Sequence, residues 1–283
     1  MTEKYILSAF ADEYSSEFEK QLIAMNLFEI THIEPRFLSG KNIADLNDTE
    51  LEGTKALLEK YNIKVNSIGS PLGKIKIDGD IAAHLEKTER VCYIASYLGA
   101  KYVRMFSFYP PDGKNIADYK EKVFETIEKM LDIAEKYGVK LCHENEAKIF
   151  GEQPENCLEL MQHFGGRLGC VFDMGNFALE GYDPMAAYEM LSQYICYFHI
   201  KDALGAGAIV PPGKGEARIE DILRIHANKG NQGVFVTLEP HLQTFSGLNA
   251  LVGRGFENPY KYDTLQDAFC DAVNKIKEIL EKI

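Results

Sequence analysis

The sequence predicts an α/β protein of the (β/α)8 TIM-barrel class, on three observations. Eight short apolar, β-rich runs alternate with eight longer stretches of helical period. The chain has 283 residues, 46% of them hydrophobic, ample for one large core. The turn after the first run, "SAFADEY", lacks the glycine-rich pattern that an open doubly wound sheet usually carries there.

The expected strands are "KYILSAF" (4–10), "FEITHIE" (28–34), "IKVNSIG" (63–69), "KYVRMFSF" (101–108), "VKLCHEN" (139–145), "RLGCVFD" (167–173), "YICYFHI" (194–200) and "GVFVTLE" (233–239). Each is rich in β-branched or aromatic residues. Helices are expected over 14–26, 48–61, 81–98, 117–137, 154–164, 184–193, 217–229 and 262–282. "SEFEKQLIAMN" and "EKVFETIEKMLDIAEKYG" show the apolar stripe most plainly, and the second stops on a glycine. No Pro/Gly/Ser linker, low-complexity stretch or internal repeat interrupts the pattern, so residues 1–283 read as one domain.

Composition narrows the function. The net charge of −12 argues against a nucleic-acid partner, because phosphate backbones are held by clustered Lys and Arg. No apolar run approaches the roughly 18 residues of a membrane helix, and "MTEKYILSAFADEY", lacking a basic segment followed by an apolar stretch, is not expected to act as a signal peptide. The six cysteines form no CxxC pair. Reduced thiols and a cytoplasmic location are therefore expected.

In a barrel of this class the active site lies where the C-terminal strand ends open into loops. Strands five to eight end on Glu144, Asp173, His199 and Glu239. A lone strand-end aspartate is ordinarily a cap, and a lone histidine in an apolar strand is ordinarily a satisfied core group. Four ligand-type residues closing four successive strands point instead to a shared metal site. Three carboxylates and one imidazole suit Mn²⁺ best, with Mg²⁺, Co²⁺, Zn²⁺ and Fe²⁺ as alternatives. Side chains two apart share a face, which adds Cys142 and Glu146 to Glu144, Lys201 to His199, and Thr237 and His241 to Glu239. Glu34 shares its face with His32 and Arg36. By the same parity His143 points away from the axis.

The stretches "HENE" (143–146), "FDMGNF" (172–177), "FHIKD" (198–202), "PPGKGE" (211–216) and "LEPHL" (238–242) resemble the sugar phosphate isomerase/epimerase superfamily, the xylose isomerase-like TIM barrels. "HIEPR" (32–36), "GSPLGKIKI" (69–77) and "RMFSFY" (104–109) extend the likeness over most of the chain. The resemblance implies metal ligation by a Glu, an Asp, a His and a Glu after strands five to eight, which falls on the same four residues. Glu146 stands as an alternative to Glu144. Many members carry Asp-x-x-His after strand six, where this chain has Asn176.

The resemblance also implies a metal-dependent isomerase or epimerase of a keto or aldo sugar or sugar phosphate, working through a metal-stabilised enediolate. Glu144 and Glu239, on strands five and eight, are the candidate acid/base pair. Glu34, Lys74, Arg104, His143, Glu146, Asn176, Lys201 and His241 are the candidate substrate-binding residues. The cations among them have a plainer alternative as solvated loop residues or ion-pair partners. The loops 203–215 and 240–261 are candidates to close over substrate, bringing Lys214 or Arg254 to an anionic group, and subunit contact in a homo-oligomer is the other reading. A dehydratase or lyase acting on a keto sugar, keto-glycoside or cyclitol shares the enediolate step and is the leading alternative. An abasic-site endonuclease and a non-enzymatic sugar-binding barrel are further from the pattern.

Overall fold

Hydrogen bonds close eight strands into a ring in the computed structural model, which describes residues 4–205, 207–243 and 259–283. The strands in order are Tyr5–Ala9, His32–Ile33, a third in two pieces (Lys64–Val65 and Ser67–Ile68), Tyr102–Met105, Lys140–Glu144, Gly169–Asp173, Ile195–Ile200 and Val234–Leu238. The first pairs in parallel with the eighth, Tyr5 opposite Val234. The eighth pairs with the seventh, and so on down to the fourth, which meets the third at Ser67 and Tyr102. Strand two pairs with the Lys64–Val65 piece. The ring is completed by the Glu34 amide donating to the Ala9 carbonyl at 3.2 Å. The sequence-based TIM-barrel expectation therefore holds.

The alternating texture explains the layers. Apolar helix faces pack on the outward strand residues to form the main core, which includes Leu22, Val91, Ile127, Leu160, Leu223 and Val273. The barrel's own interior is mixed. Tyr102, Cys142, Val171 and Tyr197 form a small apolar plug. Around it Asn66 accepts from Ser8 Oγ at 2.6 Å, and the Ser67 and Tyr197 hydroxyls meet at 2.8 Å. Buried polar groups so paired tie non-adjacent strands together.

The observed helices are Phe18–Leu27, Asp48–Tyr61, Ile81–Leu98, Lys120–Tyr137, Pro154–Phe164, Met174–Leu179, Pro184–Leu191, Ile219–Asn228 and Leu265–Leu280. Starts follow capping chemistry. Asn47 and Glu50 form a reciprocal capping box, and Pro154 and Pro184 occupy first-turn positions where no amide is needed. Gly99 and Gly138 end two of the long helices in the left-handed conformation.

Differences from the sequence reading are local. Strand two is much shorter than 28–34, because the first helix runs to Leu27 and Glu29 then takes a left-handed φ of 55°. The helix Met174–Leu179 was not foreseen. Nor was the hairpin of Asp202–Leu204 with Ala208–Val210, which occupies most of the expected loop 203–215. Within the long connection 240–261, residues 244–258, with Arg254, lie outside the described residues. Among the described residues no helix is long and apolar enough to cross a membrane.

Candidate metal centre and active site

Strands five to eight bring one ligand atom each from Glu144, Asp173, His199 and Glu239 to within 4.8 Å of one another, all four residues buried. Parallel pairing explains the convergence. Asp173 lies directly opposite His199 in register, and Thr237, two residues before Glu239, is the next partner across. Asp173 does two jobs. Its Oδ1 caps the helix Met174–Leu179 by accepting from the Asn176 amide at 2.9 Å, and its Oδ2 faces Lys201 Nζ at 3.0 Å. The tight strand-to-helix turn needs Gly175, because a Cβ there would meet the Lys201 carbonyl oxygen at 2.5 Å.

His199 is oriented from both sides. Its Nε2 meets Glu34 Oε2 at 3.2 Å, and its Nδ1 faces Glu144 Oε1 at 3.0 Å and Glu239 Oε2 at 3.4 Å. Tyr197 donates to the other Glu34 oxygen at 3.1 Å. Glu34 therefore holds the outer nitrogen while Nδ1 is presented to the carboxylates. A carboxylate holding the outer nitrogen of a ligating histidine is a common arrangement in metal sites.

Basic side chains from both halves of the barrel surround the carboxylates. Arg36 is fully buried and donates to Asp12, Glu13 and Glu239, the last at 2.7 Å. Its guanidinium lies over the Phe10 ring at 4.3 Å. Arg104 Nη1 sits 3.2 Å from Glu144 Oε2. Lys201 Nζ donates to Asp173, Asn176 and Glu239. His241 Nε2 lies 3.3 Å from Glu239 Oε1, and its amide donates to Glu13 at 2.7 Å.

The electrostatics follow from this packing. Burial alone would raise Glu144, but His199 and Arg104 outweigh it and hold the carboxyl at about 2. Glu239 is likewise held well below its ordinary range, burial being overcome by Lys201 and His241. Asp173 goes the other way, to about 6, because burial and the neighbouring Glu144 and Glu239 outweigh Lys201. His199 is raised well above 6.5, Glu144 and Glu34 overcoming burial. Glu13 is pushed up to about 8, mainly by burial.

The other candidates fall into two groups. Glu34, Arg104, Asn176, Lys201 and His241 lie against the four-ligand cluster. His143, Lys74 and Glu146 do not. His143 turns outward to Ser107 Oγ at 2.9 Å, as strand parity requires, and burial lowers its pKa to about 4. Glu146 lies beyond the strand end, where the backbone turns. It pairs with Lys74 at 3.0 Å, so the strand-five residue in the cluster is Glu144. Lys214 is exposed.

Sequence reasoning missed Asp12, Glu13 and Asp202, and noted Arg36 only for its parity. Asp202 accepts from the amides of Ala203, Gly213, Gly215 and Ala217 at 2.8–3.1 Å, anchoring the hairpin beside Lys201 to the "PPGKGE" turn. Its place inside "FHIKD" was the available signal.

The site fits a divalent ion. Its donor set is three carboxylates and one imidazole nitrogen already aimed inward. Glu144 Oε2 is buried and accepts no hydrogen bond among the described residues. Glu144 and Glu239 are both held ionised, as ligands must be, whereas His199, raised well above 6.5 by Glu144 and Glu34, must release a proton to ligate.

Solved structures of known proteins match the whole barrel. An IolI protein with a bound zinc atom superposes with a TM-score of 0.76 at 17% identity, over 100% of this chain and 99% of that one. D-allulose 3-epimerase from Methylomonas sp., in complex with D-allulose, gives 0.74 at 15% identity, over 98% and 97%. The probable 3-DHS dehydratase AsbF from Bacillus anthracis gives 0.72 at 15% identity, over 98% and 99%. Among curated proteins, the rhizopine catabolism protein MocC of Rhizobium meliloti is 29% identical over 129 residues, 38% of this chain and 40% of its own length. A family model described as the xylose isomerase-like TIM barrel matches residues 23–281. With the closed barrel and nearly the whole length matched, the chain belongs to the xylose isomerase-like TIM barrel family.

Proposed function

We propose that the protein is a divalent-metal-dependent isomerase or epimerase of a keto or aldo sugar, with Glu144, Asp173, His199 and Glu239 as metal ligands. The observation that carries this reading is the buried convergence of those four residues, with Glu144 and Glu239 oxygens at 3.0 and 3.4 Å from His199 Nδ1. A divalent ion, with manganese the first choice, supplies Lewis-acid polarisation of a carbonyl and its neighbouring hydroxyl. Likeness in fold to a zinc-bound protein and to an epimerase in complex with its sugar supports the reading.

The chain's own residues divide the remaining work. Glu144 and Glu239 are ionised and able to accept a proton from the carbon beside the carbonyl. They come from strands separated by two others, so they suit removal of the proton on one face and its return on the other. Lys201 and Arg104 stand where they can hold substrate oxygens. Arg104 Nε is buried without a hydrogen-bond partner among the described residues, which leaves one donor for that purpose. Glu34 keeps His199 in its working tautomer.

Deuterium exchange tests the reading. With a panel of keto sugars and Mn²⁺ in D₂O, the wild-type enzyme is expected to place deuterium at the carbon next to the carbonyl. Glu144→Gln and Glu239→Gln are each expected to lose net turnover, because an amide cannot take up that proton. Metal content measured in both separates lost chemistry from lost ligation. Full turnover in both metal-loaded variants would remove the proton-transfer assignment. Release of water with an unsaturated product would transfer the same residues to the dehydratase reading.

A further inference from the structure

Toward the N-terminal end of the barrel interior, away from the ligand cluster, two thiols from non-adjacent strands converge. Cys142 is on strand five, Cys196 is on strand seven, and Gly169 of strand six lies between them, in register with Cys142. A Cβ on Gly169 would stand 2.5 Å from Cys196 Sγ and 2.7 Å from Cys142 Sγ. The two sulfurs therefore flank the space a side chain would fill, within about 5 Å of each other. An irregularity between Ile195 and Tyr197 makes this possible, because the register shift turns Cys196 inward together with Tyr197. Both pack with Cys142, Tyr102 and Val171.

The geometry selects the chemistry. Strands five and seven are two spacings apart, about 9.5 Å, and a disulfide needs Cα atoms within about 7 Å. A protein disulfide is thus excluded while the sheet stays intact. A structural zinc ion wants four ligands, and among the described residues the pair joins no third Cys, His, Asp or Glu in a ligand-like group. Two sulfurs alone match a soft ion of low coordination number, and thiolates select Cu(I). Two metal–sulfur bonds of about 2.3 Å let one ion bridge sulfurs up to about 4.6 Å apart. Lys140 Cε lies 3.2 Å from the same point over Gly169, so an ammonium group is close enough to offset the negative charge of a bis-thiolate. The Cys196 thiol is already biased toward ionisation. The Cys142 thiol lowers it against burial, and Lys140 and Lys101 lower it further.

We propose that Cys142 and Cys196 form a two-sulfur clamp for a soft monovalent ion of the Cu(I) class. On binding, each thiol gives its proton to solvent and a sulfur–metal bond replaces each S–H bond. Neither sulfur changes oxidation state.

The test is an anaerobic titration of the full chain with Cu(I) against a chromophoric chelator. One equivalent is expected to bind the wild type and Cys270→Ser, and none to bind Cys142→Ser or Cys196→Ser. Uptake that survives in either single variant, or no uptake by the wild type, overturns the clamp. Alkylation mapping on the wild type does not depend on the variants folding. One equivalent of Cu(I) is expected to protect Cys196 from iodoacetamide and leave Cys270 as reactive as before. Equal labelling of Cys196 with and without the ion overturns the proposal.

Discussion

The two halves of the barrel contribute different chemistry to one site. Strands five to eight each end in a ligand-type residue, and these four residues meet by register alone. Strands one to four and their loops contribute the surrounding charges: Asp12 and Glu13 after strand one, Glu34 and Arg36 after strand two, Arg104 on strand four. Strands five to eight present the ligand-type groups. Strands one to four help set their charge state and orientation, by pairing Arg36 with Glu239, Arg104 with Glu144 and Glu34 with His199, alongside Lys201 and His241 from the ligand-bearing half. A site of this kind needs both halves. Three carboxylates brought together without the cations would take up protons and cease to be good ligands.

Removing the balancing cation is the severest way to break this division. Arg36→Met leaves Asp12, Glu13 and Glu239 facing one another in a buried network. A loss of about 3–5 kcal/mol in unfolding free energy is expected, read from urea or thermal denaturation. A loss below about 1 kcal/mol would mean that the carboxylates relieve themselves by protonation and that Arg36 is dispensable.

A smaller lever sits under the loop after strand three. His84 Nε2 accepts from the Gly73 amide at 2.9 Å, and burial lowers its pKa to about 4. The unfolded chain takes up this proton near its ordinary pKa of 6.5, so it binds more protons than the folded chain between pH 6.5 and 4. Stability should therefore fall as pH drops through that window and level off below it, by roughly 3 kcal/mol for His84. His226, lowered to about 4 by burial, acts in the same direction. Denaturation midpoints of wild type and His84→Gln across pH 4–7.5 would check this. If the two curves run parallel, His84 is not the group responsible.

The subtlest break is Glu34→Gln. The amide keeps the shape but gives a weaker, uncharged partner for His199 Nε2. Metal affinity is expected to fall 10- to 100-fold, with the fold intact by circular dichroism. Unchanged affinity would separate the two halves functionally.

The same contrast explains what was legible in the sequence. Strand ends can be read because strand period and barrel topology together fix where their side chains converge. That is why Glu144, Asp173, His199 and Glu239 stood out, and why parity sent His143 outward. Arg36, Asp12 and Glu13 sit just beyond strand ends, in loops where charged residues are ordinarily solvated. Arg36 and Glu239 are 203 positions apart, and only the closed ring brings them to 2.7 Å. The helix Met174–Leu179 was too short for its period to register. The bulge at Cys196 left no trace, since nothing in "YICYFHI" marks a register shift.

Metal content is the most direct test of the central claim, that strands five to eight form one divalent-ion site. Protein purified without chelator should carry one divalent ion per chain. Asp173→Ala and His199→Ala should each lose it while remaining folded, and Lys74→Ala, whose partner Glu146 stands outside the cluster, should retain it. Equal metal content in wild type, Asp173→Ala and His199→Ala would contradict the account.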